Sequence, residues 1–341
     1  MSVIEVEHLT KRYGDQLAVS DVGFRVEAGE IVGFLGPNGA GKSTTLRMLT
    51  GYLLPNAGRI RIGHVDALHK PAEARRLLGY LPESVPLYRE MRVHEYLAYR
   101  ATLKGVPRRQ VAARVAASLE QANVADVAQR IIGQLSKGYR SRVGLADALV
   151  ADPPILILDE PTAGLDPNQI RQVRELIRGL AGHKTVLLST HILPEVESTC
   201  GRVLIINRGR LVGEGSPDDL RRARMRGQLL ILRAPGPLPP LLAAVTEAQG
   251  VLEVVDQSLG EDGLAEVRLR VEQPAVAEAI FTAVASAGLS LRELRPEQTS
   301  LEDVFTQLTT TDRAATEGVP SSAAVSQEPN VTTQEDQGAA S

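Results

Sequence analysis

Residues 36–44 read Gly-Pro-Asn-Gly-Ala-Gly-Lys-Ser-Thr, the spacing G-x-x-x-x-G-K-[ST] of a loop that wraps nucleotide phosphates. Gly36, Gly39 and Gly41 let the backbone turn tightly and aim its N–H groups inward, where a Cβ would block a phosphate. Lys42 brings a mobile charge for the β- and γ-phosphates, and the Ser43 hydroxyl can ligate Mg2+. Pro37, Asn38, Ala40 and Thr44 complete the stretch. Further along, Asp159 and Glu160 follow four apolar residues, Ile155 to Leu158. Asp159 can reach Mg2+ directly or through water, and Glu160 can polarise an attacking water. Taken alone, the pair could equally cap the next loop. His191 follows a third run, Thr185 to Thr190. A lone histidine is more often structural, but beside the other two groups this one suits a γ-phosphate contact. Phosphoryl transfer to water is the chemistry these residue types share.

These groups need rigid supports. Glu30 to Leu35 reads as a buried strand, and Thr44 to Leu53 has apolar residues at helical spacing, so a helix N-terminus faces the anion. Ile155 to Leu158 is apolar on both faces, as in the middle of a parallel sheet, and ligands bind at the carboxyl ends of such strands. Residues 3–8, 20–27 and 58–63 alternate apolar and polar, which predicts a small antiparallel sheet beside the core. Tyr13 precedes a glycine turn there; it could stack on an adenine ring, or be an ordinary surface tyrosine. Residues 76–83 predict a strand ending at Pro82-Glu83. Residues 93–151 turn helical, an insertion within which Ser136 is a plausible N-cap, making a second helical anion site.

Strands are expected at 202–208 and 210–214, then a basic helix over Leu220 to Arg226, read as a solvated face or interface. After residue 227 the order is strand, helix, strand, strand, helix, strand over 228–294, then a helix at 300–308. This predicts a small βαββαβ accessory domain over 227–310, regulatory or docking in role. Residues 311–341 contain no Leu, Ile, Phe, Tyr or Trp, which predicts a disordered tail.

With 341 residues, 43% of them hydrophobic, the chain has the length of about two domains. A net charge of −3 gives no basic field for nucleic acid, so none is expected as a partner. Cys200 is the single cysteine; it is read as a small core residue, in a chain with no internal disulfide. Neither a signal peptide nor an 18-residue apolar run is found, so the expected place is cytoplasmic, with any membrane role exerted through a partner.

Together the motifs resemble the ATP-binding subunit of an ABC transporter, over roughly residues 3–225. The resemblance implies an ABC-type α/β nucleotide-binding domain over 1–226: a parallel core sheet, an antiparallel β subdomain and a helical subdomain. It makes Gly36 to Thr44 the Walker A loop, Asp159-Glu160 the Walker B acids and His191 the switch histidine. Tyr13 becomes the adenine-stacking aromatic, and Glu83 takes the place of the Q-loop glutamine as a further Mg2+ ligand. Leu135 to Tyr139 stands where the family carries Leu-Ser-Gly-Gly-Gln, with Ser136 and Gly138 binding the γ-phosphate. Ala163 to Asp166 looks like the D-loop, with Asp166 at the nucleotide. Leu-Pro-Glu at 81–83, Leu-Ser-Lys-Gly-Tyr at 135–139 and Ser-Leu-Glu-Asp-Val-Phe at 300–305 are similar to the export branch serving drugs, antibiotics, sodium or gliding motility.

The resemblance further implies ATP and Mg2+ as cofactors, a head-to-tail homodimer with two ATP at its interface, and a separate transmembrane permease. Such a subunit would sit on the inner face of the membrane through that permease, coupled by residues 84–96. Lys137, Tyr139 and Glu83 depart from the usual pattern. Two rivals are a soluble ABC-type ATPase on ribosomes or DNA, and a non-hydrolysing nucleotide-gated clamp. A GTPase would need a base reader that Asn207-Arg208-Gly209 does not supply.

Overall fold

The alternation at the start of the chain becomes, in the computed structural model, a long antiparallel hairpin of β1 (Ser2–Tyr13) and β2 (Gln16–Glu27). Ile4 faces Val26, Val6 faces Phe24 and Leu9 faces Val22, so the hairpin carries an apolar face over its half away from the tip. Both strands run further than the alternation predicts, and Tyr13 stands at the hairpin tip opposite Gln16. The structure describes residues 2–223, 228–260, 263–273, 275–297, 301–306 and 308. The expected tail, 311–341, lies outside them.

The chain then enters the core through β3 (Ile31–Leu35), followed by α1 (Lys42–Leu49). This helix starts two residues earlier than the spacing predicts, which places Lys42 and Ser43 in its first turn. Next come β4 (Ala57–Ile62), β5 (Val65–Asp66), α2 (Pro71–Arg76) and β6 (Leu78–Leu81). The helical insertion consists of α3 (Val93–Leu103), α4 (Val111–Gln121) and α5 (Lys137–Leu149). The core resumes with β7 (Ile155–Asp159), α6 (Pro167–Gly179), β8 (Thr185–Thr190), α7 (Leu193–Thr199), β9 (Arg202–Asn207), β10 (Arg210–Gly215) and α8 (Pro217–Ala223).

Two sheets result. One is antiparallel, in the order β2-β1-β4-β5; the other runs β10-β9-β3-β8-β7-β6 and is parallel except for its β9–β10 hairpin. The parallel register matters most for the site. Leu35 pairs with Thr190, Asp159 with Ser189 and Leu81 with Leu158, so four carboxyl ends lie side by side. β3, β7 and β8 are buried along their whole length, as strands covered on both faces must be. Cys200 is a buried core residue, as expected; burial first and the charge of Glu195 second push its thiol up to about 12.

The last unit holds β11 (Gln228–Pro235), α9 (Leu238–Thr246), β12 (Val251–Leu259), β13 (Leu264–Val271), α10 (Val276–Ser286) and β14 (Glu293–Glu297). Its sheet is antiparallel in the order β12-β13-β11-β14, with a core of its own built on Leu232, Val245, Val267 and Ile280. The final strand begins four residues later than 289–294. A further difference lies in α11 (residues 301–306), expected at the end of this unit. It returns to the parallel sheet instead: Leu301, Val304 and Leu308 join a cluster with Ile205 and Leu220, and Phe305 packs against it. Their i, i+3, i+4, i+7 spacing makes one apolar stripe, and the apolar cover over β9 and β10 is where it is buried.

Candidate functional site

Most of the predicted residues meet in one place, at the four aligned carboxyl ends and the tip of the β1–β2 hairpin. Tyr13, Pro37, Asn38, Gly39, Gly41, Lys42, Ser43, Thr44, Glu83, Glu160 and His191 line a single cleft of about 700 Å³. Gly36 and the buried Ala40 stand behind it. A Cβ on Gly36 would fall 2.4 Å from the Ile206 carbonyl oxygen, and Gly41 at φ 105 would bring one within 2.6 Å of the Ala18 oxygen. Both glycines are therefore required by close backbone approach. The loop is tied to its neighbours where Gly209 N–H donates to the Ala40 oxygen at 2.8 Å.

Lys42 is 5% exposed, and its Nζ donates to the Gly36 and Pro37 oxygens at 2.7 and 3.3 Å. It also lies 3.3 Å from Glu160 Oε1. The other Glu160 oxygen, Oε2, is 3.0 Å from His191 Nδ1. Glu160 is thus held between a cation and an imidazole. Its backbone sits at φ 48, the left-handed region, which turns the chain sharply at the end of β7. That turn is secured by its own N–H, which donates to both Ser189 oxygens, O at 3.2 Å and Oγ at 3.0 Å.

Asp159 lies beneath, 1% exposed. Its Oδ1 accepts from Ser43 Oγ at 3.1 Å and from Ser189 Oγ at 2.6 Å. Its Oδ2 is buried without a hydrogen-bond partner. A buried carboxylate oxygen with no donor is costly unless a cation meets it. Ser43 and Asp159 together offer hard oxygens, the set Mg2+ prefers when it takes one or two protein ligands and completes its shell with phosphate and water. The residues fit that ion. Among the described residues no group of three or more His, Cys, Asp or Glu side chains could hold a metal by itself. Tyr80 is nearby, its phenol pushed up to about 12 by burial and then by the charge of Asp159.

Ser136, Gly138 and Asp166 are not brought to this cleft. Ser136 Oγ caps α5 by accepting from Tyr139 N–H at 3.3 Å. Asp166 caps α6 by accepting from Gln169 N–H at 2.9 Å. The Gln169 side chain fills the space where Gly138 would carry a Cβ, 2.3 Å away. Lys137 Nζ lies against Gly164, and Ser141 Oγ donates to the Pro161 oxygen at 3.3 Å. The start of α5 therefore grips residues 161–169 of its own chain. A second cleft of about 540 Å³ lies between, reaching Lys137 and Arg140 and sharing Glu83, Glu160 and Ala163 with the first.

A protein-family model described as "ABC transporter" matches residues 19–163. The daunorubicin resistance ATP-binding protein DrrA3 of Streptomyces coeruleorubidus is 33% identical over 318 residues, covering 93% of this chain and 98% of its own. The chain belongs to the ATP-binding subunits of ABC transporters. The Nod factor export ATP-binding protein I of Burkholderia orbicola is 39% identical over 235 residues, 69% of this subunit and 77% of that one. A solved ATP-binding subunit of an ABC transporter is 34% identical with a TM-score of 0.60, covering 65% of this chain and 92% of its own. A dimeric ATP-binding cassette bound to ADP and Pi is 26% identical with a TM-score of 0.57, covering 62% and 98%.

The ABC fold also brings residues to the cleft that the motifs do not include. Gln16, Leu17 and Ala18 come from β2, and Arg208 from the turn between β9 and β10. Arg208 has φ 47, and the Arg208-Gly209 turn was the available signal. Ser189 is a larger omission. One hydroxyl donates to the Asp159 carboxylate and accepts from the Glu160 backbone N–H of this ABC subunit, and its position in a run ending Ser-Thr-His was its only mark in the sequence.

Proposed function

We propose that the chain hydrolyses ATP and drives a separate transmembrane permease, in an export system like those named for its relatives. The observation that carries the reading is Glu160, held in the left-handed region between Lys42 and His191, above an Asp159 oxygen that lacks a partner. Ser43 and Asp159 would hold Mg2+, with Glu83, which lines the same cleft, as a further ligand; the ion would offset the negative charge of the phosphates. Walker A backbone N–H groups and Lys42 take the β- and γ-phosphates, and Tyr13 at the hairpin tip stacks on the base. Glu160 accepts a proton from the water that attacks the γ-phosphorus. His191 keeps that carboxylate aimed, and ADP leaves with the bridging oxygen. Ser136 and Gly138, outside this cleft, serve the γ-phosphate of a second copy, and Asp166 lies at that interface. The subunit then sits on the inner face of the membrane, held there by the permease.

Steady-state ATP hydrolysis by the wild-type chain and Glu160→Gln tests this. Loss of the general base is expected to lower kcat by ~10²–10⁴-fold while ATP binding persists. Equal measurable rates in the two proteins would remove Glu160 as the base, and background rates in both would leave a nucleotide-gated clamp in place of a hydrolase.

A further inference from the structure

Behind His191 lies a buried carboxylate that the catalytic reading does not use. Glu195, in the first turn of α7, is 2% exposed. A charge at that depth requires a partner, and its two oxygens meet different elements. Oε2 accepts from Thr190 Oγ1 at 2.9 Å. Oε1 lies 3.4 Å from Arg174 Nη2 on α6 and accepts no hydrogen bond; the buried Arg174 Nε likewise has no partner.

The Thr190 hydroxyl gives this pair its meaning. It donates to Glu195 and also accepts from Ile192 N–H at 3.1 Å, so it spans the peptide units on either side of His191. The His191 side chain is 45% exposed, and packing alone does not fix its ring. What holds the ring is its contact with Glu160 and the backbone turn that Thr190 closes.

We propose that Arg174, Glu195 and Thr190 are positioning residues, a clasp that sets His191 against Glu160 and links that setting to α6, whose N-cap is Asp166. The inference rests on the catalytic reading for its effect on rate and on geometry alone for its effect on the histidine. A shift of α6 along its axis moves Arg174, and through Glu195 and Thr190 it moves the turn that carries His191. A purely structural pair between α6 and α7 would support stability and leave the ring where it is.

Two measurements on the full chain decide between these. In steady-state ATPase assays, Glu195→Gln keeps an oxygen for the Thr190 hydroxyl but loses the charge that pairs with Arg174. It is expected to lower kcat about 5-fold with the KM for ATP changed by less than about 2-fold, because orientation and not substrate binding is lost. Arg174→Met should do the same, the double variant should be no worse than either single one, and Arg174→Lys should recover part of the rate. The second measurement is the ring spectrum of 15N-labelled histidine, with His191 assigned by its absence in His191→Gln. Displaced His191 ring signals are expected in both Glu195→Gln and Arg174→Met. Unchanged ring signals in both variants overturn the clasp, as does a kcat within 2-fold of wild type alongside a lowered melting temperature. If wild type binds ATP without hydrolysing it, the catalytic reading falls while the ring spectra still decide the clasp. Should Glu195→Gln fail to fold, Arg174→Met carries both readouts.

Discussion

Asp159 and Glu160 are chain neighbours with opposite surroundings. Strand geometry drives Asp159 down under the Walker A helix, and the left-handed turn lifts Glu160 into the cleft. Holding a non-glycine residue there costs about 1–3 kcal/mol, offset here by the hydrogen bonds from Glu160 N–H to Ser189. Glu83 shares the cleft with Glu160, and a hard dication bound there prefers carboxylate and phosphate oxygens. The proposed metal role of Glu83 therefore predicts that Glu83→Gln lowers apparent Mg2+ affinity while the rate at saturating Mg2+ is preserved. A Mg2+ titration of ATPase rate in both proteins measures this; superimposable curves would remove Glu83 from the ligand set. At this scale the sequence was legible where chemistry is packed into a contiguous motif, as in Gly36 to Thr44. Ser189 was not, because its role comes from lying opposite Asp159 across β7 and β8, a pairing that no local spacing encodes.

Among the elements, the strands were readable and the destination of one helix was not. Unbroken apolar runs identify β3, β7 and β8 as central, and parallel pairing then forces their carboxyl ends together. An amphipathic stripe, by contrast, says that a helix will be buried but not against what. The stripe of α11 reads equally well as cover for the sheet of the last unit; in the structure it completes the cluster over β9 and β10. Leu301 is 0% exposed there, so Leu301→Ala is expected to destabilise the ATP-binding core by ~2–5 kcal/mol, with the loss seen in urea unfolding. A loss below about 0.5 kcal/mol would mean that the core closes without α11. Truncation after residue 310 removes none of these contacts and should leave the unfolding midpoint in place.

For the whole molecule, the decisive relation is that Ser136 and Gly138 stand outside the cleft that holds Lys42. A single copy has one Walker A loop and one signature that do not meet, which supports the proposed head-to-tail pair. Glu160→Gln protein is expected to double its mass in light scattering when ATP is added, and Ser136→Arg on that background should abolish the change by filling the site offered to the partner's phosphate. Identical masses with and without ATP would argue for a chain that acts alone. The return of α11 to the first sheet also bears on the order in which the protein is made. About 85 residues separate Ala223 from Leu308, so at ~5–20 residues per second the ribosome needs ~4–17 s to deliver the cover for β9 and β10 after the rest of that sheet has emerged. Through that interval Ile205, Val212 and Leu220 stand without their apolar cover. Nascent chains arrested between these points should be the ones that chaperones hold and proteases cut, and release of the last helix from the exit tunnel should end that exposure.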